Sequence, residues 1–250
     1  MLQKLYVERT GRLRSAVRDL LIRIAGTKTG ASPAARRATE RRMLALWRAS
    51  GIDVPEDLTD AFPQFGGPGV ALYEFVEGTT LHDLLEPGRL AGDARRDVLT
   101  RFGTAWGRRH AEALRRGEAA LLQEHGSIRH AMVSEERIVT IDLEQAFLPR
   151  RDLRPLVAKE VADTLRSLWK RAGEEQFRAD LAAILDGYGD PATLAAAAAE
   201  YLEPRTPGRR LLWALDRRLR RRRGGRDRTK YGPLEVLAEA TAERAQRRLR

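Results

Sequence analysis

An α+β fold, mainly helical, is what this sequence predicts, and three observations carry the prediction. Apolar residues recur at helical spacing through most of the 250 residues. Stretches with strand character are short and few. Those strands gather around two places, "VALYEFV" at 70–76 and "HAMVSEERIVTID" at 130–142, each followed by a return to helical spacing.

Taken in order, "GRLRSAVRDLLIRIAG" sets Leu13, Val17, Leu20, Leu21 and Ile24 on one helical face and stops at Gly26, a residue suited to a C-cap. After the loop "GTKTGAS", Ser32 as N-cap and Pro33 in the first turn open a second helix that closes at Gly51. Pro- and Gly-rich connections lead to the 70–76 strand. Past Gly78 the pattern is helical again: "TTLHDLL", then "DARRDVLTRFGTAWGRRHAEALRRG", where Val98, Phe102, Ala105, Trp106 and His110 share a face. On such a face His110 reads as a packing residue. Two short strands are expected near His130–Val133 and Arg137–Ile141. From Leu156 to about Leu202 the chain is helical, including the Pro-started "PATLAAAAAEYLE".

Composition narrows the function classes. The chain lacks cysteine, so disulfides, thiolate metal sites and Cys nucleophiles are excluded. It has no run of apolar residues long enough to span a bilayer, and "MLQKLYVERTGRLRS" does not read as a signal peptide. The expected location is cytoplasmic. Net charge is +11, but residues 206–250 hold 15 Lys+Arg against 5 Asp+Glu, a net of +10, which leaves the first 205 residues +1 (11 minus 10). The basic character belongs to the C-terminal segment.

Three stretches in a consistent order resemble a known superfamily. In "ATERRMLALWRASGIDVP", Glu40 lies inside a helix that runs to Gly51 and Val54-Pro55. This is similar to the N-lobe helix of small bacterial kinase-like enzymes, whose Glu orients an ATP-binding lysine. "ALYEFVEGTTLHDLL" resembles the hinge of the same superfamily. "WGRRHAEALRRG" followed by "LLQEHGSIRHAMVSEERIVTIDLEQAF" is similar to the catalytic segment of lipopolysaccharide-core sugar kinases and aminoglycoside phosphotransferases, and of the small atypical kinase of the tRNA-threonylcarbamoylation complex. The resemblance spans about residues 34–168.

That resemblance implies a protein-kinase-like two-lobe fold. A reduced N-lobe would cover 1–77 and a helical C-lobe 78–205, with the catalytic-loop-like segment at 121–147 and a basic helical tail at 206–250. It implies ATP and Mg²⁺ as cofactors and a sugar or lipid-linked hydroxyl as acceptor. Asp142 would hold the metal, and Glu40 would orient the clamp residue, for which Lys28 is the lysine candidate and Arg23 the better-spaced but chemically poorer one. The backbone of Glu74, Phe75 and Val76 would read the adenine edge. His125, Ser127 and His130 would line the catalytic loop, with His130 the nearest substitute metal ligand. Two departures stand out. The position after His125-Gly126, where the pattern has a carboxylate, is Ser127, and no glycine-rich phosphate loop precedes the Glu40 helix. A serine does not accept a proton at neutral pH as a carboxylate does.

Two other readings stay open. The chain could be a pseudokinase, keeping the fold as a binding or regulatory module. Alternatively its function could lie in the basic segment, where "GRRLLWALDRRLRRRR" forms an amphipathic, arginine-dense pattern. Residues 209–230 then suit an anionic membrane surface, giving a peripheral location at the inner membrane. Nucleic acid is the less favoured partner, because Trp213 and Tyr231 are too few aromatics for a base-stacking platform.

Overall fold

The computed structural model describes residues 1–7, 29, 32–65, 67, 69–135, 137–203 and 231–248. The expected helix over 13–26, Arg23 and Lys28 lie outside the described residues. The architecture is α+β and mainly helical. The first strand, β1 (Leu2–Leu5), pairs antiparallel with β2 (Val70–Tyr73), and Lys4 sits opposite Ala71. Between them runs α1 (Pro33–Ala49). Ser32 caps it by accepting from the Ala35 amide at 3.3 Å, and Pro33 occupies the first turn.

The buried face of α1 carries Arg36, Glu40, Met43, Leu44 and Trp47, spaced as one helical stripe. Two charged residues on such a stripe are costly unless paired. Their partners define the site described below.

A second sheet has the order β3 (Thr79–Thr80), β4 (Ala131–Ser134), β5 (Arg137–Thr140), all antiparallel. After β3 come the one-turn helix α2 (Leu81–Leu84) and the long α3 (Gly92–Arg116), which ends at Gly117 in the left-handed conformation. The remaining described helices are α4 (Arg154–Ala172), α5 (Glu174–Tyr188), α6 (Pro191–Leu202) and α7 (Tyr231–Arg248).

Helix α3 packs along α5 at very close range, because glycines stand at the crossing. A Cβ on Gly103 would collide with the Ile184 carbonyl, and one on Gly107 with the Tyr188 carbonyl. At one end Arg95 grips Asp180 with two hydrogen bonds of 2.7 Å, both residues buried. Gly107→Ala is expected to force the helices apart and to cost about 1–3 kcal/mol, as overpacking does. Urea denaturation measures it, and an unchanged midpoint would contradict the crossing geometry.

The C-terminal basic segment ends in structure. Residues 204–230, the arginine-dense part, lie outside the described residues. Helix α7 buries Tyr231, Leu234, Val236 and Leu237 against α6 and α4, and Arg244 bonds Asp186 at 2.6 Å. The 206–250 boundary is therefore corrected for its last part: α7 belongs to the helical body, because its apolar face continues the core.

The centre of the helical body is a buried carboxylate. Glu160 of α4 has no solvent exposure. It accepts from Trp106 Nε1 at 3.1 Å, from the Gln123 amide at 2.8 Å and from both terminal nitrogens of Arg109. Burial alone would raise its pKa, but the Arg109 charge and the hydrogen bonds outweigh it and hold the group well below the usual carboxylate range. Beside it His110 is buried, its Nδ1 2.6 Å from the Tyr188 hydroxyl.

Burial pushes the His110 pKa below its usual 6.5, against the attraction of Glu160. In this pair the unfolded chain takes up the His110 proton first as pH falls. Stability contributed by His110 is therefore expected to be complete above pH 6.5 and to decline below it. Comparing unfolding midpoints of the native protein and His110→Gln between pH 7 and pH 5 checks this (roughly the range in which an unperturbed histidine titrates). Parallel pH profiles for the two proteins would refute it.

Candidate functional site

The two buried charges of α1 meet side chains from β1 and from the segment that follows β5. Glu40 accepts from Lys4 Nζ at 3.0 and 2.8 Å, and the Tyr6 hydroxyl donates to the same carboxylate. Tyr73 of β2 lies 2.7 Å from the Tyr6 oxygen and donates to it. On β1 the alternation of side chains places Lys4 and Tyr6 on the inner face and leaves Leu5 outside, 65% exposed. Among the described residues, then, the lysine paired with Glu40 is Lys4. The candidate Lys28 lies outside the described residues.

Lys4 also bonds Asp142 Oδ1 at 3.0 Å and Glu144 Oε1 at 3.1 Å, and Arg36 bonds Glu144 Oε2 at 2.8 Å. Burial would lower the lysine pKa, but Glu40, Asp142 and Glu144 outweigh it and raise it above its ordinary value. Lys4 therefore stays cationic at every physiological pH. Burial and the neighbouring Glu40 raise Tyr6, which keeps its hydroxyl as a donor. Among the described residues the cluster thus brings Glu40, Asp142 and Glu144 together with Lys4 and Arg36.

Asp142 follows β5 in an unusual backbone conformation, with φ of +61°. Such left-handed geometry is uncommon for a residue other than glycine and is tolerated best by Asn and Asp. It is over-determined by its neighbours: the Ile141 amide donates to the His130 carbonyl at 2.8 Å, and the Leu143 amide donates to Glu40 Oε1 at 3.2 Å. Strain that surrounding contacts maintain is a mark of functional positions. The Asp142 side chain is still 40% exposed, open to a cation or ligand from solvent.

His130 approaches the other carboxylate oxygen, its Nε2 3.6 Å from Asp142 Oδ2. Its Nδ1 donates to the His125 carbonyl at 3.0 Å. Burial lowers the His130 pKa, opposed by Asp142, so the ring is neutral with a lone pair at Nε2. Asp142 and His130 thus put an anionic oxygen and a neutral nitrogen side by side. Among the described residues no three His, Asp or Glu side chains converge as a metal-ligand set.

The loop that carries the remaining predicted residues is held tightly to α4. A Cβ on Gly126 would lie 2.5 Å from Thr164 Oγ1 and 2.6 Å from the Glu160 carbonyl, so only glycine permits this approach. Ser127 caps the short 3₁₀ turn Ile128–His130, accepting from the Arg129 amide at 3.2 Å, and lies 3.1 Å from the Ser167 hydroxyl. His125 is exposed, its Nε2 2.8 Å from Glu124 and 2.9 Å from Gln145. The structure brings His130 to Asp142, while Ser127 is engaged with α4 and His125 with its own loop neighbours.

Past β2, the Glu74 amide donates to the Glu56 carbonyl at 2.8 Å and is committed to the fold. Phe75 extends outward, 61% exposed. Trp47 and Asp53 tie the small sheet and α1 to the helical body. Trp47 Nε1 donates to the Ala120 carbonyl at 2.8 Å, and the Thr140 amide donates to the Asp53 carbonyl at 3.0 Å.

No protein-family model matches the sequence, and comparison with curated proteins gives no match. The site is defined by its own chemistry, a lysine held among carboxylates beside an accessible, strained aspartate. Sequence reasoning missed Lys4, Tyr6 and Glu144. The signal for the first two was the inner-face alternation of "QKLYV", and for Glu144 the second acid after Asp142 in "IDLE".

Proposed function

We propose that the chain is a kinase-like phosphotransferase that uses Mg-ATP and a sugar or lipopolysaccharide-type hydroxyl acceptor. The observation that carries the reading is the convergence of Lys4, Glu40 and Asp142, from three separate elements, at 2.8–3.0 Å around one ammonium. Phosphoryl transfer needs positioning and charge neutralisation more than covalent help. Lys4, oriented by Glu40 and Tyr6, would bind phosphate oxygens. Asp142, with His130 beside it, would hold Mg²⁺, an ion that keeps several waters and takes one or two carboxylates together with substrate phosphates. The Asp142 carboxylate and its 40% exposure fit such a cation. Bound Mg-ATP supplies the electrophilic γ-phosphorus.

Phe75 and Val76 would offer backbone groups to the base. The cytoplasmic, peripheral location belongs to the same proposal, with residues 209–230 holding the chain to an anionic membrane surface. Among the described residues no helix is long and apolar enough to cross a membrane.

Ser127 favours a second reading, a catalytically inactive pseudokinase that binds nucleotide. Its hydroxyl is engaged with the Arg129 amide and Ser167, and it does not accept the acceptor's proton as a carboxylate does. Thermal unfolding with ATP, with and without Mg²⁺, tests both readings. A Mg-dependent stabilisation of about 2.7 kcal/mol at 100 times Kd is expected. It should be lost in Asp142→Asn, a variant that keeps left-handed tolerance and removes the charge. A shift with no product from any hydroxyl acceptor would select the pseudokinase, and no shift at all would sink both.

A further inference from the structure

On the far side of Ser127 from the lysine cluster, a cleft of about 540 Å³ opens between α2, the 125–129 loop and α4. Its α4 wall is built by Asp163, Arg166, Ser167, Lys170 and Arg171, spaced 3, 1, 3 and 1 residues apart, hence one helical face. Arg129 closes the opposite side.

Cations outnumber carboxylates in the lining: Arg129, Arg166, Lys170 and Arg171 against Asp163. Arg171 is satisfied by the His82 carbonyl at 3.0 Å and Glu86 at 3.1 Å, and Asp163 is taken by Lys159 at 3.1 Å. Arg129 lies 3.3 Å from His82 Nε2, in a ring whose Nδ1 faces Asp83. Among the described residues no carboxylate pairs with Arg129, Arg166 or Lys170, and Arg166 Nε is buried without a hydrogen-bond partner. A buried guanidinium nitrogen left unpaired is costly. Three cations converging on one small concavity repel each other unless an anion joins them.

We propose that this cleft binds the phosphate group of a phosphate-bearing ligand. Planar guanidinium forks from Arg129 and Arg166, the Lys170 ammonium and the Ser127–Ser167 hydroxyl pair supply the donors that a tetrahedral dianion takes. The volume suits a small molecule or a single headgroup. No Phe, Tyr or Trp lines the cleft, so the large ring surfaces on which nucleic-acid bases stack best are missing from its lining. Ser127 also lines the smaller pocket that contains His130, so the phosphate would sit next to the catalytic-type loop. Its role as a recognition handle on the acceptor rests on the phosphotransferase reading, whereas the anion binding itself does not.

Isothermal titration of the full chain with inorganic phosphate, against sodium chloride at matched ionic strength, tests the proposal. Saturable binding is expected, weakened about tenfold or more in the double variant Arg166→Gln with Lys170→Gln and unchanged in Arg247→Gln, an exposed cation on α7. Phosphatidic acid in phosphatidylcholine vesicles provides the second arm. Vesicle binding that the double variant loses and free phosphate competes away places the phosphate on a lipid, and phosphate binding without it places the group on a soluble ligand. No saturable binding of either probe, or equal affinity in the double variant, would overturn the site. Loss of the Mg-ATP shift alone would leave it standing and remove only the acceptor role.

Discussion

Replacing Glu160 by alanine is expected to destabilise the protein by about 3–5 kcal/mol, the usual cost of breaking a buried pair by removing one partner. The reason lies in what the variant leaves behind. Arg109 would remain 5% exposed with its carboxylate gone, and Trp106 Nε1 and the Gln123 amide would lose their acceptor. The Gln123 amide begins the segment that leads into the 125–130 loop, so the damage should reach the site. Glu160→Gln keeps the shape and some of the acceptors and should fall between the two. Urea unfolding of the three proteins measures the order. An alanine variant as stable as the native chain would mean that the carboxylate is not the organising centre described here.

The second large effect is on ligand binding. Lys4→Met is expected to weaken Mg-ATP binding by about tenfold or more, the worth of a charge-assisted contact. It also removes the ammonium that Glu40, Asp142 and Glu144 share, so a loss of stability accompanies it. Lys4→Arg separates the two effects. It restores charge and stability but not a compact ammonium at the phosphate position. Lys28→Met tests the other lysine candidate, and a loss there beside native affinity in Lys4→Met would give the clamp role to Lys28. Calorimetric titration of the three variants decides the matter, and a native-like affinity in Lys4→Met would remove Lys4 from the site.

Local signals explain why some of this was legible from sequence. Ser32-Pro33 and Gly51 bracket α1 because capping chemistry acts within one turn. The face of Val98, Phe102, Trp106 and His110 could be read because burial of one side of α3 follows the 3.6-residue period. Glu40 drew attention through the resemblance of its helix to a kinase-like N-lobe helix, and Asp142 as an acid closing an apolar strand. β1 escaped notice because it is four residues long, and only its inner face is covered. Period-2 alternation over so few residues is weak beside the helical pattern that follows it. The phosphate cleft had a sequence trace in the spacing of Arg166, Lys170 and Arg171, yet that spacing equally describes a solvated helix face.

What the sequence by itself determined is the class of fold, the approximate bounds of α1, α3 and α6 and the basic bias of the C-terminal segment. All of these follow from contacts between near neighbours or from composition. Only the tertiary structure decided which lysine meets Glu40, since Lys4 is 36 residues away and reaches it by strand pairing across to β2. It alone also decided that α7 closes the helical body and that Arg166 is left without a described anion partner. The physical reason is common to all three. Pairing of distant charges and burial of distant apolar faces are chosen by the packed chain as a whole, where removing a charge from water makes a partner necessary.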